Sequence, residues 1–381
     1  MEAHEELLLW AKQKGVQLHG IEPRRMPGRG VGVVATEPLK PNQVLLEVPT
    51  SLLKSLSSVP RSVSRKLPRD MSVHGLLAAD LALDESATHS KWDAVMPTKE
   101  EVMASLPLAW DPDLQEYFPK PARDSIRKQQ TRFKRDWDIV HATFPSLLEE
   151  DYLYAWLLVN TRTFYYTTPR TEKLPRHDRM ILQPVADLLN HADEGCSVSF
   201  DGRGFTIRSG RAYAAGEEVC ICYGRHGNDV LLAEYGFALA AGRNRWDEVC
   251  LDDAVLPRLS ARHRRHLEDR GFLGNYRLDA ATVCYRTQVA LRILCVPLGE
   301  WRDVVDGLDD GEAQQGEVDR LLILLLRELR EGARETIANI EVATAGLDHQ
   351  RQALKDRWVQ IIDLVSSTIL RLESSVAQES T

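Results

Sequence analysis

The residue types and spacings best suited to chemistry fall in four short stretches of this 381-residue chain. Tyr223 lies near the end of Glu217-Glu218-Val219-Cys220-Ile221-Cys222-Tyr223-Gly224, whose alternation predicts a strand. Val219, Ile221 and Tyr223 would share one face, and Cys220 and Cys222 would share the other as packed thiols. A tyrosine at a buried strand end must aim its hydroxyl at something polar. Downstream, Asn228 and the triplet Tyr235-Gly236-Phe237 add a polar group and two aromatics. These form either an aromatic core edge or a narrow aromatic slot closed by a hydroxyl. Asp187, Asn190 and His191 sit in PVADLLNHAD. That segment reads as a short helical turn with a polar end, or as a place where a ligand meets the hydrogen-bonding demand of a buried asparagine. Arg162 in NTRTFYYTT stands beside Phe164, Tyr165 and Tyr166. It is a surface arginine by default, unless the aromatic neighbourhood buries it against a carboxylate. The cluster Gly28-Arg29-Gly30-Val31-Gly32 could offer backbone N–H groups to a ligand, but it leads into the strand VVAT. A dinucleotide loop would open a helix, so a plain turn or another kind of ligand-approach loop remains.

Other chemistries find no support. There is no GxSxG elbow, no HExxH and no phosphate-binding loop. Cysteines 196, 220, 222, 250, 284 and 295 form no CxxC pair, so no metal site is expected and a reducing compartment is. With 48 basic and 56 acidic residues the formal net charge is −8, which disfavours nucleic-acid binding by the chain as a whole. Basic runs at 61–69, 127–135 and 262–266 read as solvated helix faces, with a surface for an acidic protein or RNA as the alternative. The longest aliphatic run, Leu321 to Leu326, is far too short to span a bilayer. The opening MEAHEELLLWAKQKG lacks the layout of a signal peptide. Cytosol or nucleus is the expected setting, with no membrane partner.

The elements that must position these groups come in blocks. A helix is expected from Glu5 to about Lys14, then strands at Val31–Ala35 and Val44–Val48 separated by a turn. Helical periodicity follows at Met71–Leu83, Ala122–Thr143 and Glu149–Asn160. Strand texture returns between Met180 and Tyr223, with a hairpin turn at Asp201–Gly204, and again at WDEVCL. Beyond it, Gln288–Leu294, Val318–Glu331 and Ala338–Leu372 carry helical apolar spacing, and the polar tail from Glu373 is expected to fray.

In order along the chain, GRGVGVVATEPLKPNQVLLEVP, LQPVADLLNH, AGEEVCICYG and GNDVLLAEYGF resemble the motifs of SET-domain methyltransferases. The likeness is to the Rubisco large-subunit methyltransferase branch, whose fungal relatives act on ribosomal proteins and elongation factors. It covers nearly the whole chain. It implies an α+β class: a β-rich SET fold with a knot-like active site, interrupted by a helical insertion, plus a helical C-terminal domain. The implied domains are 1–243, with the insertion at about 51–160, and 244–381 as a helical region resembling a substrate-binding domain.

The implied activity is protein-lysine N-methylation of a non-histone target, with S-adenosyl-L-methionine as cofactor. The partner would be a protein such as a ribosomal protein or translation factor, with no direct nucleic-acid binding and a monomeric state. By resemblance the backbone at Arg29, Gly30, Val31 and Gly32 contacts the cofactor, Arg162 meets its carboxylate, and Asn190 and His191 hold its adenine and amino end. Asp187, Asn228 and Phe237 are carried over as further cofactor positions, Phe164 and Tyr235 as the substrate channel, and Tyr223 as the catalytic tyrosine. Gly227-Asn228 departs from the usual Ser-Asn, and the absence of a cysteine-rich flank fits the histone-directed branches poorly. A sister branch that methylates a histidine of actin has a polar residue where this chain has Phe164, which favours lysine here. The alternatives are histidine-directed transfer and a non-catalytic SET-fold module that docks a partner on its C-terminal helices.

Overall fold

The computed structural model describes residues 2–26, 30–84 and 90–379. Two compact units emerge. The first takes the chain up to Ala109, Ile126–Arg225 and Glu234–Gly236; the second takes Trp110–Ser125, His226–Ala233 and the chain from Phe237 onward. A single boundary after residue 243 does not describe this partition, because part of the helical insertion groups with the second unit.

The first unit contains eight of the described strands: β1 (Gln17–Leu18), β2 (Ile21–Met26), β3 (Gly30–Ala35), β4 (Val44–Pro49), β5 (Phe164–Tyr165), β6 (Met180–Ile181), β7 (His191–Phe200) and β8 (Gly204–Arg208). An antiparallel sheet runs in the order β1-β4-β8-β7, while β2 pairs with β3 and β5 with β6. The hairpin between β7 and β8 turns where expected, with Asp201 N–H donating to the Gly204 carbonyl at 3.0 Å.

The expected strand ending at Tyr223 is not a ladder strand. Val219 N–H donates to the Val33 carbonyl at 2.8 Å, whereas Ile221 N–H donates to the Asn190 carbonyl at 2.9 Å. The Cys220 carbonyl in turn accepts from Cys196 N–H at 2.8 Å. The segment is therefore a thread that leaves β3 and passes beside the start of β7, changing partner as it goes. Gly195 allows the crossing, since a Cβ there would lie 2.7 Å from the Ile221 backbone. Its alternation misled the strand reading because alternation reports which face is buried, not which chain supplies the hydrogen bonds.

Helices Val73–Ala82, Lys120–Thr143 and Glu149–Arg162 match the expected segments within a few residues. Ser72 caps the first by accepting from Gly75 N–H at 2.9 Å. The basic run at 127–135 is partly neutralised in place: Arg135 pairs with Asp136 at 3.1 Å, and adjoining Lys134 with Asp138 at 2.8 Å. Leu45, Leu46, Val48, Leu77, Trp156 and Ile181 belong to one core. Such side chains contribute about 1.5–3 kcal/mol each on full burial.

Inside this core His74 stacks on Trp156 with ring centroids 4.1 Å apart, and its Nε2 lies 2.9 Å from the Trp156 carbonyl. Burial pushes its pKa down to about 3, against the backbone bond that favours the charged ring. The folded protein thus binds this proton later than the unfolded chain, whose histidine titrates near 6.5. Its stabilising effect is present above that value and is lost as pH falls towards about 3. Urea midpoints measured from pH 7 to pH 4 should decline, and His74→Gln should flatten that decline.

In the second unit β9 (Glu248–Cys250) pairs antiparallel with β10 (Arg277–Asp279), so WDEVCL yields a shorter strand than its pattern suggests. Helices Tyr285–Cys295, Gln315–Val342 and Asp348–Glu379 follow. The helical run expected over Ala338–Leu372 is broken: one helix ends at Val342 and the next begins at Asp348. Gly346 takes φ +71° in the turn, which helical periodicity does not register. The tail from Glu373 continues the last helix to Glu379 rather than fraying. Val249, Leu278, Trp301, Leu322, Ile361 and Val365 share a second core.

Candidate functional site

Three pieces of the first unit converge on one cavity of about 240 Å³. The last turn of the helix Glu149–Arg162 delivers Arg162, and β5 begins with Phe164 after the single capping residue Thr163. The second piece is the tight turn Ala186–Leu188, entered through Val185 at φ +71°. A β-branched residue in the left-handed region costs about 1–3 kcal/mol and persists where packing dictates it; Val185 is buried. This turn brings Asp187 to Arg162. Nη1 of Arg162 donates to the Asp187 carbonyl at 3.0 Å and lies 3.4 Å from Oδ2. Trp92 Nε1 donates to the same Oδ2 at 2.9 Å, while buried Oδ1 has no partner among the described residues. Burial raises the Asp187 carboxyl pKa, and Arg162 and the Trp92 bond pull it back.

The thread supplies the third piece. Tyr223 Oη donates to the Leu189 carbonyl at 2.9 Å, and Tyr223 N–H donates to Nδ1 of His191 at 3.0 Å. That bond assigns the ring proton of neutral His191 to Nε2. The Tyr223 ring lies 5.1 Å from the rings of both His191 and Tyr235. Burial pushes the Tyr223 phenol well above its ordinary pKa, with the Arg162 charge opposing. Tyr235 is pushed up to about 12 by burial, reinforced by Glu234. Both phenols keep their protons at neutral pH.

Of the residues singled out in the sequence, Arg162, Phe164, Asp187, Tyr223 and Tyr235 line this cavity. Cys222 lines it too, with Sγ donating to the Gly224 carbonyl at 3.3 Å, so it is not the packed core thiol its alternation suggested. Gly30, Val31 and Gly32 lie on β3, where a Cβ at Gly32 would come within 3.0 Å of Asn190 Nδ2. Asn190 donates to Glu218 Oε1 at 2.8 Å and so pins the thread with its side chain as well as its carbonyl. Arg29 lies outside the described residues.

Asn228 and Phe237 fall in the second unit. There the Asn228 side chain is saturated. Nδ2 donates to the Leu239 carbonyl and Gln360 Oε1, while Oδ1 accepts from Leu239 N–H and Asn244 Nδ2. Buried with both donors and both lone pairs used, the Asn228 side chain is a structural latch rather than the ligand contact expected for it. Sequence reasoning missed Trp92, Leu189, Phe200 and Phe205. The two phenylalanines flank a recognisable hairpin turn, but nothing local marks Trp92 or the Leu189 carbonyl.

Comparison with known proteins adds two family profiles: the SET domain matches residues 30–224, and the ribosomal lysine N-methyltransferase 2 C-terminal domain matches 247–371. The chain is 27% identical to the ribosomal lysine N-methyltransferase set11 of Schizosaccharomyces pombe, covering 91% of this chain and 93% of that one. It is 26% identical to the SET domain-containing protein 4 of Mus musculus, over 79% of this chain and 75% of the relative. A solved structure of Rubisco LSMT bound to sinefungin and monomethyllysine superposes with a TM-score of 0.65 at 16% identity, covering 100% of this chain and 92% of that one. At that identity the likeness speaks to fold.

Proposed function

The chain belongs to the SET-domain family, and from that premise we propose that it is a protein-lysine N-methyltransferase that uses S-adenosyl-L-methionine and acts on a ribosomal protein. The ribosomal part rests on the near full-length likeness to the fission-yeast relative and on the C-terminal domain match. Cytoplasm or nucleus, where ribosomal proteins are made and assembled, is the matching setting. The observation that carries the reading is the half-buried phenol of Tyr223, fixed by one carbonyl in the wall of an aromatic cavity.

The donor supplies a methyl group on a positively charged sulfur, open to in-line attack by an amine. Arg162 suits its carboxylate: it lines the cavity and commits Nη1 to Asp187, and among the described residues Nε and Nη2 remain as donors. Asp187 in turn holds that guanidinium in place. Gly30, Val31 and Gly32 on β3, with Asn190 and His191 beside the thread, are the proposed frame for the nucleoside.

A free lysine, with a pKa near 10.4, is neutral only about once in 2,500 at pH 7, a handicap of roughly 4.6 kcal/mol. Walls built from Phe164, Tyr223 and Tyr235 desolvate the entering amine and favour its neutral form. Burial pushes the Tyr223 phenol above its ordinary range, so its proposed role is to orient the amine rather than to take its proton. With its hydrogen donated to Leu189, the phenol oxygen has lone pairs left to accept an amine N–H and orient the attacking pair.

Tritiated donor, offered with ribosomal proteins from cells lacking this protein, should label one protein on methyllysine. Label on methylhistidine would move the reading to histidine. Donor binding without any label would favour a docking module. Asn190→Ala should weaken donor binding about tenfold, roughly the 1.4 kcal/mol of one lost hydrogen bond. Calorimetry checks it, and unchanged affinity would remove Asn190 from the donor's frame.

A further inference from the structure

We propose that the loop 166–179 selects substrates whose target lysine is flanked by carboxylates. This rests on the reading of the cavity as a lysine channel and adds a substrate class to it. The loop joins β5 to β6 and is anchored at both ends. Tyr166 N–H donates to the Arg179 carbonyl at 2.9 Å, and Val73 N–H donates to Asp178 Oδ1 at 3.1 Å. The Tyr166 ring packs on Phe200 and Phe205 at 5.1 and 5.5 Å, both of which line the cavity. Loops of this length inside a compact unit are commonly functional.

Its outward face is basic. Arg170, Lys173 and Arg176 are exposed, and among the described residues none of the three has a carboxylate within ion-pair distance. Against them stands exposed Glu172, since Asp178 is buried. The charge is tied to the cavity edge by one ring. Tyr165 lines the cavity and is 44% exposed; the Arg176 guanidinium lies 5.6 Å from its ring centroid and Arg179 Nη1 lies 3.5 Å from its hydroxyl. In a chain of net charge −8 this is a local feature.

On this proposal a polypeptide with its lysine in the cavity runs past Tyr165, an exposed residue of the cavity lining. At about 3.3–3.6 Å per extended residue, the neighbours one to four positions from that lysine come within reach of these cations. Carboxylates there would steer the encounter and fix the direction of the chain. RNA shares the charge complementarity. A peptide fits better, because the cations adjoin Tyr165 in the cavity lining and one exposed ring is no stacking platform for successive bases.

The test uses a peptide library with a central lysine and randomised flanks. It is scored for tritium incorporation and, in parallel, for retention on the full-length protein loaded with S-adenosylhomocysteine. Asp and Glu should be enriched over Asn and Gln within four residues of the lysine in both arms. Lys173→Glu/Arg176→Glu should lower kcat/KM for an acidic-flanked peptide about tenfold through KM, spare kcat and donor affinity, and raise turnover of a lysine-flanked peptide. Equal retention of acidic and amide peptides, or a preference untouched by the charge reversals, overturns the proposal. So does loss of single-stranded RNA binding in the variant with peptide choice unchanged. Retention that follows the acids without methylation of any peptide supports the loop's role and counts instead against the methyltransferase reading.

Discussion

Tyr223→Phe is expected to lower methyl transfer about 10²–10³-fold, the usual effect of removing one preorganised polar group from a reacting centre. Donor affinity should stay within about twofold, because nothing assigned to the donor is touched. The phenyl ring keeps its places against His191 and Tyr235, so the variant retains the aromatic wall. What disappears is one oxygen. The Leu189 carbonyl loses its partner, which costs about 1–3 kcal/mol of stability and no fold. Single-turnover rates with labelled donor, beside calorimetry on both proteins, separate the two effects. The pH profile adds a second check. Burial pushes the phenol above its ordinary range, so the rise of kcat/KM between pH 7 and 9 is expected to come from the substrate amine and should keep its slope in the variant. A variant with more than a tenth of the parent rate would remove Tyr223 from the reaction. A parent profile that lost its slope in the variant would make the phenol a base after all.

Much of this molecule was legible from its residues, and the misses share a cause. The periodicity of Val73–Ala82, Lys120–Thr143 and Glu149–Arg162 declares which faces must be buried, and tertiary packing satisfied those faces as the pattern required. The segment Glu217–Tyr223 declares its faces equally well, yet its backbone partners lie at Val33 and Asn190, two remote stretches that no local pattern names. Trp92 meets Asp187 across a gap of 95 positions, and its indole N–H is as silent in the sequence as any core tryptophan's. The break between Val342 and Asp348 was hidden for the opposite reason. Apolar spacing continues across it, and only Gly346 marks the turn. Local chemistry identified Arg162, Asp187 and Tyr223 as polar groups needing partners. Which partners they found is information held in the topology.

Asn228 shows the same limit and leads to the largest expected change in stability. Its hydrogen bonds run into a buried network in the second unit centred on Arg357, which is fully buried. Arg357 Nε donates to Asp229 Oδ1 at 2.6 Å, Nη1 to Asp247 Oδ2 at 2.8 Å, and Nη2 to the Glu248 carbonyl at 3.2 Å. Burial already raises the Asp229 carboxyl pKa, and the arginine is the main influence holding it down. Arg357→Met should therefore destabilise the protein by about 3–5 kcal/mol, since it strands two carboxylates without their counter-charge.

The pH response gives the cause away. In the variant Asp229 has a folded pKa above its unfolded value, so folding takes up a proton. The variant's stability is greatest below the unfolded pKa and falls as pH rises through the folded one. Its deficit against the parent should shrink in urea titrations moved from pH 7.5 to pH 5. Asp229→Asn combined with Arg357→Met should recover part of the loss at pH 7.5 by removing one stranded charge. A loss independent of pH and unrelieved by the second substitution would mean that Arg357 acts through its volume. The network around Asn228 would then be packing with polar atoms in it, rather than a charge lock.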